Sequence, residues 1–140
     1  MRYFDRFTQS KFLRFALIGT FGFLVNEAAL FGCLRLGLNK DQSWFPAFLV
    51  AVTFTWWGNR TLTFRDRAAQ NGLLAEWATF LAANSIGNLA NLGVYFTLVH
   101  LAPYPLSDPL AALAAGALSG MVFNFAASQR FVFRKKSPQP

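Results

Sequence analysis

The sequence predicts an all-α integral membrane protein of four transmembrane helices, arranged as two parallel two-helix repeats with both termini on the cytoplasmic side. Three observations carry this expectation. Hydrophobic residues make up 54% of the 140, and 13 Lys and Arg with 6 Asp and Glu are the only charges, well under the about 25% charged fraction of a soluble domain. The charges leave gaps of 18, 31 and 21 residues after Asp41, Glu76 and Asp108, and a bilayer core of about 30 Å needs about 20 helical residues to cross it. The two halves of the chain also resemble each other. Residues 1–140 are expected to form a single membrane domain, with repeat one at about 11–67 and repeat two at about 75–136.

The first span is placed at Phe12 to Leu36, ended by Gly37, Asn39 and Lys40. The second runs from Gln42 to about Thr61, with Pro46 near its first turn, where a missing N–H is tolerated. The third covers Glu76 to Leu101 and stops before Pro103 and Pro105; the fourth covers Leu106 to about Gln129. Trp44, Trp56, Trp57 and Trp77 fall at expected span ends, as an interfacial aromatic belt requires. Eleven basic residues lie on one side: Arg2, Arg6, Lys11, Arg14, Arg60, Arg65, Arg67, Arg130, Arg134, Lys135 and Lys136. Only Arg35 and Lys40 lie on the other, so the excess of Lys and Arg places both termini in the cytoplasm, the span set residing in the cytoplasmic (inner) membrane.

A shift of 65 residues aligns Phe15 with Phe80, Gly22 with Gly87, Asn26 with Asn91 and Phe31 with Phe96. A shift of 69 aligns Phe54 with Phe123, Asn59 with Ser128, Phe64 with Phe133 and Arg65 with Arg134. A unit of two spans returns to its starting side, so such repeats are parallel, related by an axis along the membrane normal, with substrate sites expected where they meet.

Composition also excludes function classes. One cysteine, Cys33, and one histidine, His100, supply neither a disulfide nor a zinc or iron ligand set, so no cofactor is expected. A pI near 10.4 would suggest nucleic acid in a soluble protein, but here the basic residues follow the membrane rule and no nucleic-acid partner is expected. No Gly-x-x-x-x-Gly-Lys-Ser/Thr loop is present to hold a nucleotide. No Ser/His/Asp set or paired carboxylates point to catalysis, so the chain is not expected to be an enzyme. Leu30 to Cys33 faintly echoes a lipoprotein cleavage box, against which stand the bulk of Phe31, the charge of Glu27 and an apolar run longer than a signal needs.

The polar residues within the spans are the candidate site. Asn84, Asn88 and Asn91, four and three apart, share one side of the third helix and should look away from lipid, as interhelical hydrogen bonds or as a ligand stripe. Ala112, Gly116, Gly120, Asn124 and Ser128 recur every four residues, a close-packing ridge that ends in polar groups. Glu27 lies about 20 Å along the first helix from Arg14, in the outer half, either paired with Arg35 or Lys40 or acting as a proton or substrate site. Arg14, Arg60, Arg65, Arg130 and Arg134 serve orientation and anionic lipid contact or, through their forked guanidinium groups, bind phosphate.

The Gly-x-x-x-Asn element of Gly22 to Asn26, Asn59 to Arg65, and Phe123 to Arg134 carry a family resemblance. Over about Lys11 to Arg134 the chain resembles the GtrA-like family of four-span bacterial membrane proteins. The sequence departs from the family pattern at Thr55-Trp56, at Leu62 and at Gln129, which stands where Arg60 stands in the first half. The resemblance implies a translocase that moves polyprenyl-phosphate-linked sugar across the membrane for cell-surface polysaccharide glycosylation. Arg14, Arg60, Arg65, Arg130 and Arg134 would then meet phosphate, and Asn26, Asn59, Asn84, Asn88, Asn91 and Asn124, with Glu27, the headgroup. Implied partners are the polyprenyl-phosphate sugar lipid, membrane lipids, a membrane glycosyltransferase and further copies of the chain. Two other readings stay open: a small multidrug-type cation exporter using Glu27, and a membrane scaffold for a glycosyltransferase.

Overall fold

The structure, a computed structural model, describes residues 10–67 and 72–134; Arg2, Arg6, Lys135 and Lys136 lie outside them. The described chain is helical and divides into two compact units, one ending near residue 68 and one running from there to Arg134. Each is a helical hairpin closed by a π-helical turn.

In hairpin 1, helix α1 spans Lys11–Arg35, about 37 Å at 1.5 Å per residue. The Ser10 hydroxyl accepts from the Leu13 N–H at its start, satisfying one of the unpaired first-turn donors. Gly37, at φ 91°, makes the turn that follows. Helix α2, Lys40–Gly58, opens on a capping box: Asn39 Oδ1 accepts from the Gln42 N–H at 2.9 Å, and Gln42 Oε1 accepts from the Asn39 N–H at 3.1 Å. This cap starts the helix two residues earlier than expected, so Pro46 sits inside it, at the seventh position, and not in the first turn. There Pro46 has no N–H to donate to the Gln42 carbonyl.

Two stripes hold hairpin 1 together. Phe15, Ile18 and Gly22 are buried on α1, and Ser43, Ala47 and Ala51 on α2. A side chain at Gly22 would overlap the Thr55 methyl group, so the helices approach as closely there as small residues allow. Asn59–Thr63 then form the π turn, closed by the Phe64 N–H donating to the Asn59 carbonyl at 2.7 Å.

In hairpin 2, helix α3 spans Leu73–Leu101 and α4 spans Pro109–Ala127. Helix α4 begins three residues later than expected because Asp108 Oδ1 accepts from the Leu110 and Ala111 N–H groups and Pro109 takes the first position, an arrangement that fixes a helix start. Glu76, Phe80, Ala83 and Gly87 are buried on α3, facing Ala112, Gly116 and Gly120 on α4. Here the small residues admit asparagines. A Cβ at Gly116 would lie 2.8 Å from the Asn91 carbonyl oxygen, and one at Gly120 3.0 Å from Asn91 Cβ and from the Gly87 carbonyl. A Cβ at Gly87 would overlap the Asn124 amide. Ser128–Val132 form the second π turn, closed by Phe133 N–H to Ser128 O at 2.8 Å.

The outward faces are apolar: Phe21, Phe23, Leu24, Phe31, Ile86, Leu89, Leu118 and Val122 are all more than half exposed. By length and apolarity, α1 and the segment 109–132 are able to cross a membrane. Helices α2 and α3 carry more polar residues along their length: Lys40, Asp41 and Gln42 on one, Asn84, Ser85, Asn88 and Asn91 on the other.

Candidate functional site at the π-turn ends

Each hairpin places charged residues where its first helix starts and its π turn ends. In hairpin 1 this end is built on Phe64, which is fully buried and meets Phe15 edge-on at 6.4 Å between ring centres. Two cations approach the Phe64 ring: Lys11 Nζ at 5.8 Å and the Arg67 guanidinium carbon at 5.2 Å, both within cation–π range. The Arg67 N–H donates to the Phe64 carbonyl at 2.9 Å, turning the chain back so that Arg67 is 8% exposed. Lys11 also donates to both Asp66 carboxylate oxygens, at 2.8 and 2.7 Å. That hydrogen-bonded ammonium holds the Asp66 carboxyl below the usual carboxylate range. Arg14, one turn along α1, buries its Nε without a hydrogen-bond partner.

Beneath these charges the π turn is closed on itself. Asn59 Nδ2 donates to the Thr55 carbonyl at 2.9 Å, and Thr63 Oγ1 donates to Asn59 Oδ1 at 2.9 Å. Thr55 Oγ1 donates back to the carbonyls of Ala51 and Val52. Asn59, expected as a headgroup ligand, is buried in this network. Of the arginines expected to hold phosphate, Arg14 and Arg60 are half-buried and Arg65 is exposed.

Hairpin 2 repeats the aromatic arrangement, with Phe80 and Phe133 rings 6.0 Å apart. Its charges differ. Buried Glu76 occupies the helix-start position that Lys11 holds in hairpin 1, and Arg130 and Arg134 are exposed, with Arg134 Nε donating to the Arg130 carbonyl at 3.1 Å. Ser128 is fully enclosed, and neither its Oγ nor Asn124 Oδ1 has a hydrogen-bond partner.

The asparagine stripe of α3 is divided. Asn84 Nδ2 donates to the Phe80 carbonyl at 3.0 Å, Asn91 packs against Gly116 and Gly120, and Asn88 is exposed. Asn26 is half-buried and donates to Glu27 Oε1 at 3.3 Å. Glu27 is exposed and, among the described residues, forms no ion pair with Arg35 or Lys40; Arg35 instead lies 4.9 Å from the Phe31 ring. Lys11 and Arg67, read from the sequence as orientation charges alone, and Thr63 and Asp66, not singled out there, belong to this end. The only signal for Arg67 is its place two residues past the Phe64-Arg65 motif.

The sequence pattern of the family described as "GtrA/DPMS, transmembrane domain" fits residues 14–133. The chain belongs to that family. The GtrA/DPMS domain thus runs from the half-buried Arg14 to the buried Phe133, taking in both hairpins and both π turns, and with its apolar helices makes the chain a membrane protein. A curated relative, the dolichol-phosphate mannosyltransferase of Pyrococcus furiosus, is 28% identical over 91 residues, covering 65% of this chain and 26% of the relative. This GtrA/DPMS chain therefore spans about a quarter of that relative's length.

Proposed function

We propose that this protein is a non-enzymatic translocase of polyprenyl-phosphate-linked sugar in the bacterial cytoplasmic membrane, supporting glycosylation of cell-surface polysaccharide. Its four helices would span the membrane as two parallel repeats with both termini cytoplasmic, as the distribution of Lys and Arg argues. The observation that carries the reading is the basic end of hairpin 1. There Arg14 presents a buried, unpartnered guanidinium nitrogen next to the Lys11, Phe64 and Arg67 cluster, at the foot of an otherwise apolar hairpin. A guanidinium at a membrane edge suits a lipid phosphate, which it can engage through paired N–H groups. A prenyl tail would remain in lipid along the apolar outer faces, and asparagines would meet sugar hydroxyls. The family membership and the mannosyltransferase relative both support a setting of polyprenyl-phosphate sugars.

The test is translocation in proteoliposomes: purified protein, a polyprenyl-phosphate hexose, and an impermeant reagent that reports headgroup arriving in the opposite leaflet. Protein-dependent movement that falls at least tenfold in Arg14→Gln and Arg60→Ala, with unfolding temperature retained, is the expected result. A second reading, a scaffold that brings a glycosyltransferase to its lipid, is favoured by the relative, where the similar segment is a quarter of a mannosyltransferase. It gains if the purified protein moves no lipid while its loss releases such an enzyme from the membrane. Self-association belongs to both readings, since two short hairpins enclose little of a headgroup.

A further inference from the structure

Hairpin 2 holds two buried polar atoms that the fold leaves unbonded: Asn124 Oδ1 and Ser128 Oγ. The residues are one turn apart, so they share a side of the helix, and that side is the buried one, continuing Gly120, Gly116 and Ala112 toward α3. Ser128 is fully enclosed, and the Asn124 amide fills the notch at Gly87. In hairpin 1 the same positions are closed: Thr55 bonds to Ala51 and Val52 carbonyls, Asn59 to the Thr55 carbonyl, and Thr63 to Asn59. Hairpin 2 has Ser128 in place of Asn59 and Val132 in place of Thr63. Ser128 Oγ makes no bond back along the helix of the kind that the Ser43 and Ser85 hydroxyls make, and valine has no hydroxyl to give. With Oδ1 buried the unbonded pair is an acceptor and a hydroxyl; with the amide turned end for end it is a donor and a hydroxyl, and a neutral hydroxyl meets either.

A buried polar group without a partner costs about 1–3 kcal/mol, and native structures seldom leave two side by side without use for them. The chemistry of the pair selects its guest. Asn124 Oδ1 only accepts, which disfavours an anion; a serine hydroxyl both donates and accepts. A group that donates to Asn124 and accepts from Ser128 through a single atom is a neutral hydroxyl. Asn124, half-buried where Ser128 is enclosed, is the side from which such a group would enter. We infer that Asn124 and Ser128 form a subsite for one hydroxyl of the sugar headgroup, an inference that rests on the translocase reading.

The test compares binding of two probes to the full chain in nanodiscs: a short-chain prenyl-phosphate hexose and the same prenyl phosphate without sugar. The unaltered protein should prefer the glycosylated probe by about tenfold, the scale of one or two net hydrogen bonds. Ser128→Asn, which places hairpin 1's amide in the site, should bring that ratio close to one while the unfolding temperature rises. Ser128→Ala, which removes the hydroxyl without adding bulk, should lower the ratio severalfold and serves if Ser128→Asn fails to fold. A ratio unchanged in these variants overturns the subsite and leaves a buried water as the occupant. Absence of any preference in the unaltered protein overturns the subsite alone, whereas failure of both probes to bind overturns the phosphate reading with it.

Discussion

The two hairpins share a frame and differ in what fills it. Both pair a buried phenylalanine at the first helix's start with one after the π turn, and both have a glycine, Gly22 or Gly87, facing a polar residue on the second helix. Hairpin 1 places Ala47 and Ala51 where hairpin 2 places Gly116 and Gly120. The two methyl groups have a consequence one turn away. Asn91 enters the glycine notches of hairpin 2, whereas Asn26, its counterpart, has no notch to enter and bonds to Glu27 instead. The neutral polar groups of hairpin 1's π turn are closed on one another, and its chemistry is charge around Phe64. Hairpin 2 is packed backbone to backbone and carries unsatisfied neutral groups. The cations around a buried ring sit in one hairpin and the unbonded neutral groups in the other.

The largest expected effect comes from deleting the shared aromatic. Phe64→Ala and Phe133→Ala each empty a fully enclosed site, and loss of a buried phenylalanine costs about 3–5 kcal/mol in soluble cores. The low end applies here, because lipid recovers part of the transfer term but not the packing. Phe64→Ala should be the worse of the two, since it also removes the ring under Lys11 and Arg67, worth about 0.5–1 kcal/mol per cation at exposed sites. Equal shifts of unfolding temperature in detergent would show that the cations draw nothing from the ring.

Glycine notches are the next point to press. Gly116→Ala would set a methyl group 2.8 Å from the Asn91 backbone carbonyl, an atom that cannot swing aside. Overpacking of this kind costs about 1–3 kcal/mol, which exceeds or offsets the about 1 kcal/mol that alanine gains over glycine within a helix. Hairpin 2 should lose stability on acquiring the alanine that hairpin 1 already holds at Ala47. A stabilised Gly116→Ala variant would mean that Asn91 is not held where the structure places it. At the π turns the order reverses. Asn59→Ala strands the Thr63 hydroxyl, a loss of about 1–3 kcal/mol, and leaves the Thr55 carbonyl with the backbone N–H of residue 59 alone, while Ser128→Ala removes an unbonded hydroxyl and should leave the unfolding temperature level or slightly raised.

These contrasts also mark what the sequence makes legible. Four helices are readable because long uncharged apolar stretches favour helix in lipid. Their starts moved where caps at Asn39 and Asp108 set them and at α3, which begins three residues before Glu76, at Leu73, without a side-chain cap. The ridge from Ala112 to Ser128 stands out through its glycines, while the matching ridge of Ser43, Ala47, Ala51, Thr55 and Asn59 is hidden among tryptophans and phenylalanines. Asn88 fits the spacing of Asn84 and Asn91 yet falls furthest round from the buried line of Phe80, Ala83 and Gly87, and so is exposed. The motif ending at Arg65 draws attention to the exposed arginine. The turn from Phe64 carries the buried one, Arg67, two residues later, marked in the sequence only by its place after that motif.

The smallest effect separates the hairpins by pH. Lys11 and Asp66, 55 positions apart in the chain, tie the start of α1 to the end of the π turn. Asp66 is held below the ordinary carboxylate range by the Lys11 hydrogen bond, so the folded state favours its ionised form. The contribution is complete above the unfolded carboxylate pKa of about 3.9 and is lost as pH falls through the lowered folded value. Both side chains are partly exposed, 29% and 51%, so solvent screening limits the contribution to under about 1 kcal/mol. Asp66→Asn should therefore lower the unfolding temperature slightly at pH 7, and the difference from the unaltered protein should shrink in high salt and close as pH falls through the lowered folded value. A gap that persists in acid would show that Asp66 acts through the local turn at Phe64 and not through its bond to Lys11.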